Sequence, residues 1–322
     1  MFSYRANLSN PRALSNKTMD SVNPIPFASI IIPVYNDNIS LEICLNALAK
    51  QTYSKENYEI IVIDNNSQEN VSNVTNKFAQ VTLANESQPG SYIARNKGLS
   101  LAKGSIIAFT DADCIPTSTW LENGISKLIS EENVGLVAGR INLFAKDDDN
   151  PNPYELYEIL ALGFPQEQFL EDGHFGVTAN LFTFRNVIQS VGDFDQNLKS
   201  GGDKQWGQRV FKAGYKQLYA DDACIKHPTR NTWKDLNKRG TRIIGGNYDV
   251  IKSKKRTQIA LLVDFLLFLK PPFRFFIRTW TDKRLTGFNQ KIQFTTVMLR
   301  LRWSAIKERT RLQFGGGISE RS

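Results

Sequence analysis

Two carboxylates spaced as Asp111-Ala112-Asp113 follow directly on the apolar run Ser105-Ile106-Ile107-Ala108-Phe109-Thr110. On an extended segment, residues two apart face the same side, so both carboxylates can address one cation while Ala112 turns back toward the core. A hard divalent ion such as Mg²⁺ or Mn²⁺ takes a few carboxylate oxygens and completes its shell with water and substrate phosphates. The ligand this implies is a nucleotide diphosphate. Asp-x-Asp is also an ordinary solvated turn, so its meaning depends on what shares its surroundings.

Those surroundings are set by further strand ends. Ser29-Ile30-Ile31-Ile32 is a short β-branched run stopped by Pro33, with Val34-Tyr35-Asn36-Asp37 as the loop beyond it. Tyr58-Glu59-Ile60-Ile61-Val62-Ile63 is a second run, ending at Asp64-Asn65-Asn66-Ser67. Between the strands, Leu41, Cys44, Leu45 and Leu48 recur at helical spacing behind Ser40 as N-cap, and Tyr92 to Ala102 forms a second helix after the turn Pro89-Gly90. Alternating strand and helix predicts a parallel sheet with helices on both faces, and such sheets bind ligands at the carboxyl ends of their strands. Tyr35, Asp64, Asp111 and Asp113 all fall on that rim.

Pro33-Val34-Tyr35-Asn36, Asp64-Asn65-Asn66-Ser67, Ala94-Arg95-Asn96-Lys97-Gly98 and Asp111-Ala112-Asp113, in this order, resemble the nucleotide-sugar-binding half of family 2 glycosyltransferases. Thr178-Ala179-Asn180-Leu181-Phe182 and Gly201-Gly202-Asp203-Lys204-Gln205-Trp206 resemble the acceptor half of the same family. The resemblance implies a GT-A (Rossmann-like) α/β fold: a mixed, mostly parallel sheet flanked by helices. It implies an inverting enzyme that moves sugar from a nucleotide diphosphate sugar to a glycan or lipid-linked acceptor in surface glycan or glycolipid assembly. The donor would lie on Pro33, Tyr35, Asn36, Asp64, Arg95, Asp111 and Asp113. Mg²⁺ or Mn²⁺ would lie on Asp111 and Asp113, with His227 at the position of a third metal ligand. Asn180, Gly202 and Trp206 would border the acceptor or donor sugar, with His174 in the loop ahead.

Each residue also has a plainer reading. Tyr35 offers a flat face to a nucleobase or ordinary packing, and Asp64 an acceptor for a base N–H or a turn bond. Arg95, in the first turn of its helix, suits phosphate better than the helix dipole, or simply a solvated face. Either histidine could be structural. Asp203 opens a helix whose apolar face is Trp206, Val210 and Phe211, where a carboxylate serves equally as N-cap. The helix N-terminus favours its charged form, which is in tension with service as a base. The resemblance assigns Asp203 the general-base role, although Gly202 and Gln205 depart from the acidic neighbours usual there.

The chain of 322 residues can bury one large α/β core and carry an appendage. Cys44, Cys114 and Cys224 are scattered, odd in number and without metal spacing, which suits a reducing cytosol. Residues 1–27 lack an apolar run and read as a mobile arm. Residues 28–230 read as the catalytic domain, divided into 28–115 and 116–230, and 231–322 as a basic amphipathic helical extension. From Lys226 onward there are 22 Lys and Arg against 6 acids, and before it 18 against 26. The run Ile259 to Leu269 is too short to span a bilayer, for which about 20 apolar residues are needed. Phe294, Met298, Leu301 and Ala305 share a helical face ringed by Arg300, Arg302, Lys307 and Arg309, with Trp280 and Trp303 nearby. This pattern suits an anionic membrane surface, hence a cytoplasmic protein peripheral to the inner face of the membrane, or a helix packed on the catalytic domain. Two rival classes are a catalytically silent nucleotide-sugar-binding or membrane scaffold and a metal-dependent nucleotidyltransferase. Against the second, Pro33-Val34-Tyr35-Asn36-Asp37 holds neither glycine nor base, and nucleic acid is not an expected partner.

Overall fold

A computed structural model describes residues 25–253 and 258–315, so most of the expected N-terminal arm lies outside the described residues. Strands β1 (Ala28–Val34), β2 (Tyr58–Asp64), β3 (Val81–Asn85), β4 (Ile106–Thr110), β5 (Ile115–Pro116), β6 (Val134–Phe144), β7 (Asn180–Phe184) and β8 (Lys216–Pro228) form one sheet in the order β3-β2-β1-β4-β7-β6-β8-β5. The first four are parallel to one another, and β7 runs against both its neighbours, β4 and β6. Beyond it β6 and β8 pair in parallel, and β5 runs against β8. The mixed, mostly parallel sheet matches the expected fold.

Helices α1 (Asn38–Leu48), α2 (Ser72–Thr75), α3 (Ser91–Leu101), α4 (Trp120–Leu128), α5 (Pro153–Tyr157), α6 (Gln166–Gly173), α7 (Arg185–Val191) and α8 (Gly202–Lys212) belong to the sheet domain. Helices α9 (Trp233–Ser253), α10 (Gln258–Phe268), α11 (Phe273–Thr281) and α12 (Phe288–Phe314) follow. Successive strand residues point to opposite faces, and here both faces are covered. Ile30, Ile32, Ile60, Val62, Ile106 and Ala108 pack with Leu41 and Leu45 of α1 and Trp120 of α4. Ile31, Ile61, Ile107 and Phe109 pack with Ala94 of α3, Val187 of α7 and Trp206 of α8. Two-sided burial explains why these strands read as continuous apolar runs. The N-cap of α1 is Asp37 rather than Ser40: its carboxylate accepts the Ser40 N–H at 3.1 Å, so the helix begins earlier than its apolar spacing predicts.

Pro33 lies near the end of a central strand, a place normally hostile to proline because it donates no hydrogen bond. The β1–β4 ladder ends at Ile31 and Phe109, while the β1–β2 ladder continues to Val34 and Asp64. Pro33 therefore stands where β1 has already parted from β4. That parting opens the crevice at the strand ends.

The C-terminal helices are packed on the sheet domain. Leu156 and Tyr157 of α5 share a core with Leu236 of α9, Leu285, and Phe294, Val297 and Met298 of α12. The face predicted for a membrane is thus largely consumed by packing. Three of its four expected cations are consumed too. Arg300 lies 4.2 Å over Trp233, Arg302 donates to the carbonyl of Phe268 at 2.8 Å and so caps α10, and Arg309 is buried 4.7 Å over Tyr248. Among the described residues, no helix is long and apolar enough to cross a membrane.

Candidate active site

The crevice between β1 and β4 collects the expected donor residues. Tyr35 is 59% exposed just past β1, its ring free for a ligand. Asn36, at φ 49°, carries the turn: its N–H donates to Ser67 Oγ at 2.9 Å and its Oδ1 accepts the Gln68 N–H at 2.6 Å. Asp64 Oδ1 accepts the Ser67 N–H at 2.9 Å, which is the turn bond its plain reading foresaw. Its second oxygen makes no bond among the described residues. Asn65 is the organiser that sequence reasoning missed. Its side chain donates to the carbonyls of Glu86 and Gln88 at 3.0 and 2.6 Å and accepts the Gly90 N–H at 2.8 Å. One buried amide thereby fixes the loop that launches α3.

Asp111 and Asp113 end β4 as expected, but they take different partners. Asp111 Oδ1 is held by Arg95 Nη2. Asp113 Oδ2 faces His227 Nε2 at 3.6 Å. His227 Nδ1 lies 2.7 Å from the Pro228 carbonyl, which can only accept, so Nδ1 carries a proton and Nε2 is the ring nitrogen turned toward the carboxylate. A carboxylate oxygen and an imidazole nitrogen are both metal-ligand atoms. Ligands bound at about 2.0–2.2 Å in one metal shell stand at a similar separation, so this pair fits a divalent cation. Cys114 joins Asp113 and His227, with the three ligand atoms within 4.8 Å of one another, and Asp111 is outside that group. Burial pushes the Asp113 carboxyl above its usual range, against the pull of His227, and the Asp111 charge adds to the rise.

Arg95 does not lie on a solvated face. It is buried at 4% exposure, spent on Asp111, and its Nε has no hydrogen-bond partner. It also acts on Asp203, whose carboxyl it draws downward. Gly201, at φ 78°, is the N-cap of α8, so the N-cap reading of Asp203 does not hold. Asp203 lies inside the first turn, where its Oδ1 accepts the Tyr92 hydroxyl at 3.2 Å and the Lys204 N–H at 3.0 Å. Burial pushes its carboxyl up and outweighs Arg95 and those bonds, so the helix terminus does not hold it as a weak base. A Cβ on Gly202 would meet the Tyr92 ring at 2.7 Å, so glycine is what admits the tyrosine. Tyr92 was legible in one respect: it lies three residues before Arg95 and shares its helix face.

The remaining acceptor residues are corrections. Asn180 is fully buried; it accepts the Trp120 indole N–H at 2.8 Å and donates to the carbonyls of Arg140 and Ala223 at 2.9 and 2.8 Å. It stitches β7 to β6 and β8. Trp206 is equally buried, donating to the Gly192 carbonyl at 3.0 Å with its ring against Phe194. His174 is the left-handed residue that ends α6, and its ring stacks 3.7 Å from that of Phe211 in the last turn of α8, whereas Asp203 is in the first. A histidine can occupy that backbone position, and here its role is structural.

Residues 29–192 match the family described as glycosyl transferase family 2. Glycosyltransferase AglE of Haloferax volcanii is 35% identical over 261 residues, covering 77% of this chain and 83% of that protein. The dolichyl N-acetyl-alpha-D-glucosaminyl phosphate 3-beta-D-2,3-diacetamido-2,3-dideoxy-beta-D-glucuronosyltransferase of Methanococcus voltae is 24% identical over 225 residues, covering 66% and 70%. The mannosyltransferase PcManGT of Pyrobaculum calidifontis, solved in complex with GDP-Man and Mn²⁺, superposes with a TM-score of 0.60 at 16% identity, covering 91% of this chain and 88% of that one. This superposition bears on the fold alone. The family match and the AglE relationship together set aside the scaffold and nucleotidyltransferase readings: the chain belongs to glycosyltransferase family 2 and is a glycosyltransferase of the GT-A fold.

Proposed function

We propose that the enzyme transfers a sugar from a nucleotide diphosphate sugar to a hydroxyl acceptor with inversion, in the assembly of surface glycans or glycolipids. The observation that carries this reading is Arg95. One buried guanidinium holds Asp111 at the donor rim and acts on Asp203 across the crevice, so donor and acceptor chemistry meet at a single cation.

Tyr35 stacks on the base, and Asp64 receives a base N–H through its open oxygen. Asp113 and His227, with Asp111 at their edge, would hold Mn²⁺ or Mg²⁺. When bound, the cation would neutralise charge on the diphosphate leaving group. Asp203 accepts the proton of the incoming hydroxyl, and Tyr92 and Lys204 orient its carboxylate. Its raised proton affinity suits a base near neutral pH better than an ordinary carboxylate would. A single displacement with one base inverts the anomeric centre.

The acceptor is a glycan or a lipid-linked glycan, a reading supported by the dolichyl phosphate acceptor named for the Methanococcus voltae relative. An anionic bilayer is the proposed docking partner, through a face other than the one predicted. Phe273, Ile277 and Trp280 recur along α11, and Phe288, Ile292, Leu299 and Trp303 along α12, all exposed. Trp280 and Phe288 pack edge to face at 5.7 Å and join the two stripes. Arg274, Arg278 and Lys283 lie exposed beside them, complementary to anionic headgroups. A cytoplasmic position at the inner face of the membrane follows from that docking.

The test is turnover of UDP-, GDP- and dTDP-sugars with Mn²⁺, with and without a lipid-linked acceptor, and NMR of the product anomer. A retained anomeric configuration removes the inverting reading. Failure to consume any of these donors removes the donor assignment.

A further inference from the structure

A further cluster of charged groups lies beside the crevice, at the end of β8. Glu158, in the turn of π-helix after α5, is completely buried and carries two guanidinium groups. Arg230 donates its backbone N–H to Glu158 Oε2 at 2.7 Å and its Nη1 to Oε1 at 2.5 Å. Arg239, on α9, donates its Nη1 to the same Oε1 at 2.7 Å and its Nη2 to the Gly163 carbonyl at 3.3 Å.

One buried carboxylate facing two guanidiniums leaves an excess positive charge, and burial of unbalanced charge is costly. Crowding is evident at Arg239: burial, then the Arg230 charge beside it, lowers it to about 10, so it stays charged at neutral pH. Arg239 lies 4.7 Å over Phe164, and Phe164 packs 5.1 Å from the ring of His227. The cluster therefore adjoins the Asp113–His227 pair, and Arg230 is only three residues beyond His227. Its charge reaches Asp113, whose carboxyl it helps to hold down. Of the two arginines, Arg230 is the more accessible, with 24% of its side chain exposed against 10% for Arg239, and its Nε and Nη2 have no partner among the described residues. A partly open guanidinium with free donors, in a cluster one negative charge short, beside a cation site, matches an anionic oxygen cluster.

We infer that Arg230 binds the diphosphate of the donor and receives it as leaving group, with Glu158 and Arg239 as positioning residues that aim its free donors into the crevice. This rests on the nucleotide-sugar reading and deepens it. It also makes the first helix of the C-terminal extension part of the active site, because Arg239 belongs to α9. The rival is a purely structural cluster that ties α9 to the sheet domain.

Calorimetry with the full chain, Mn²⁺, and matched nucleoside diphosphate and monophosphate of uridine and guanosine separates these. A charged hydrogen bond to phosphate carries about 10- to 100-fold in affinity. Arg230→Gln is expected to lower diphosphate affinity by that factor while monophosphate affinity changes little, and Arg230→Lys to lose less. Arg239→Gln should weaken diphosphate binding by a smaller factor. Should Arg230→Gln not fold, the wild-type protein serves: diphosphate with Mn²⁺ should shield Arg230 from phenylglyoxal, and monophosphate should not. Equal diphosphate affinity in folded Arg230→Gln, or labelling indifferent to diphosphate, overturns the assignment in favour of the structural cluster. A wild-type protein that binds neither nucleotide overturns the nucleotide-sugar reading together with this one.

Discussion

At the strand ends, charge is crowded: half-buried Asp111 and Asp203 meet the buried Arg95 at the crevice, and Asn65, Asn36 and Tyr92 spend their hydrogen bonds shaping it. Along α11 and α12 the arrangement is inverted. There Phe273, Ile277, Phe288 and Trp303 face outward while Phe294, Val297 and Met298 on the same long helix are packed away. The first region bears its unfavourable terms within the fold, as raised carboxyls and an unpartnered guanidinium nitrogen. The second leaves its unfavourable terms at the surface, where only a partner can relieve them. Under the proposed function, chemistry belongs to the first region and location to the second, and substitutions in each should have separable effects.

The largest separation is expected at Asp203. Asp203→Asn should lower turnover by roughly 10²- to 10⁴-fold with donor affinity nearly unchanged. Its effect on stability has a definite sign. The folded-state pKa is raised, so the stability associated with the protonated form is present below the unfolded value and lost as pH rises through the folded value. Near neutrality, ionised Asp203 therefore weighs against folding, and the asparagine variant should melt no lower than the parent. A lower melting temperature with turnover preserved per folded molecule would return Asp203 to a structural role. The same shift sets the pH dependence. Turnover should fall on the acid side with a midpoint above the usual value of about 4 for an aspartate, and the limb should vanish in the variant.

Next in size is the cation site. His227→Ala and Asp113→Ala should each weaken Mn²⁺-dependent nucleotide binding by roughly 10- to 100-fold, a ligand or its partner being worth about that much. Asp111→Asn should cost less in metal affinity, because its Oδ1 is already committed to Arg95. Titration of Mn²⁺ by its paramagnetic resonance signal measures all three directly. Equal losses for Asp111 and Asp113 would mean that both carboxylates share one ion, as their spacing alone predicts.

Which of these features were legible in the chain follows from what each depends on. Strand runs, the rim and the Asp111/Asp113 pair depend on local pattern, and the pattern predicts them. Partner choice depends on what the fold brings together. Spacing of two puts both aspartates on one side, but Arg95 and His227 arrive from α3 and β8 and divide them. Asn180 and Trp206 stand in motif positions, yet both are fully buried, because the Asn180 amide ties β7 to β6 and β8 and the Trp206 indole ties α8 to the end of α7. The apolar face on α12 is periodic as expected, and of its two readings, membrane or packing on the catalytic domain, packing is the one met. Two apolar stripes lie on that helix, and periodicity alone does not say which one meets the protein. Glu158 and its arginines gave no signal, since a lone acid in an apolar stretch becomes notable only when two distant cations converge on it.

The smallest effect expected, and the sharpest test of the exposed region, is at Trp303. It is 62% exposed, and Lys307 lies 5.8 Å from its ring. A surface substitution away from packing changes stability by at most about 0.5 kcal/mol, so Trp303→Ser should leave the melting temperature and donor turnover in solution where they were. If this stripe enters a bilayer, losing an interfacial aromatic should weaken binding to anionic vesicles by about tenfold, or about 1.4 kcal/mol. Ile277→Ser on α11 should weaken it similarly. Binding of the parent should also fall as salt rises, because the contribution of each nearby Lys or Arg, about 1 kcal/mol, is screened within about 10 Å at 0.1 M ionic strength. Flotation of parent and variants with anionic and neutral vesicles at low and high salt reads all of this. A parent that ignores anionic vesicles at low salt abolishes the bilayer assignment. Trp303→Ser that binds as tightly as the parent moves the contact to α10, where Leu262, Leu266 and Leu267 are also exposed.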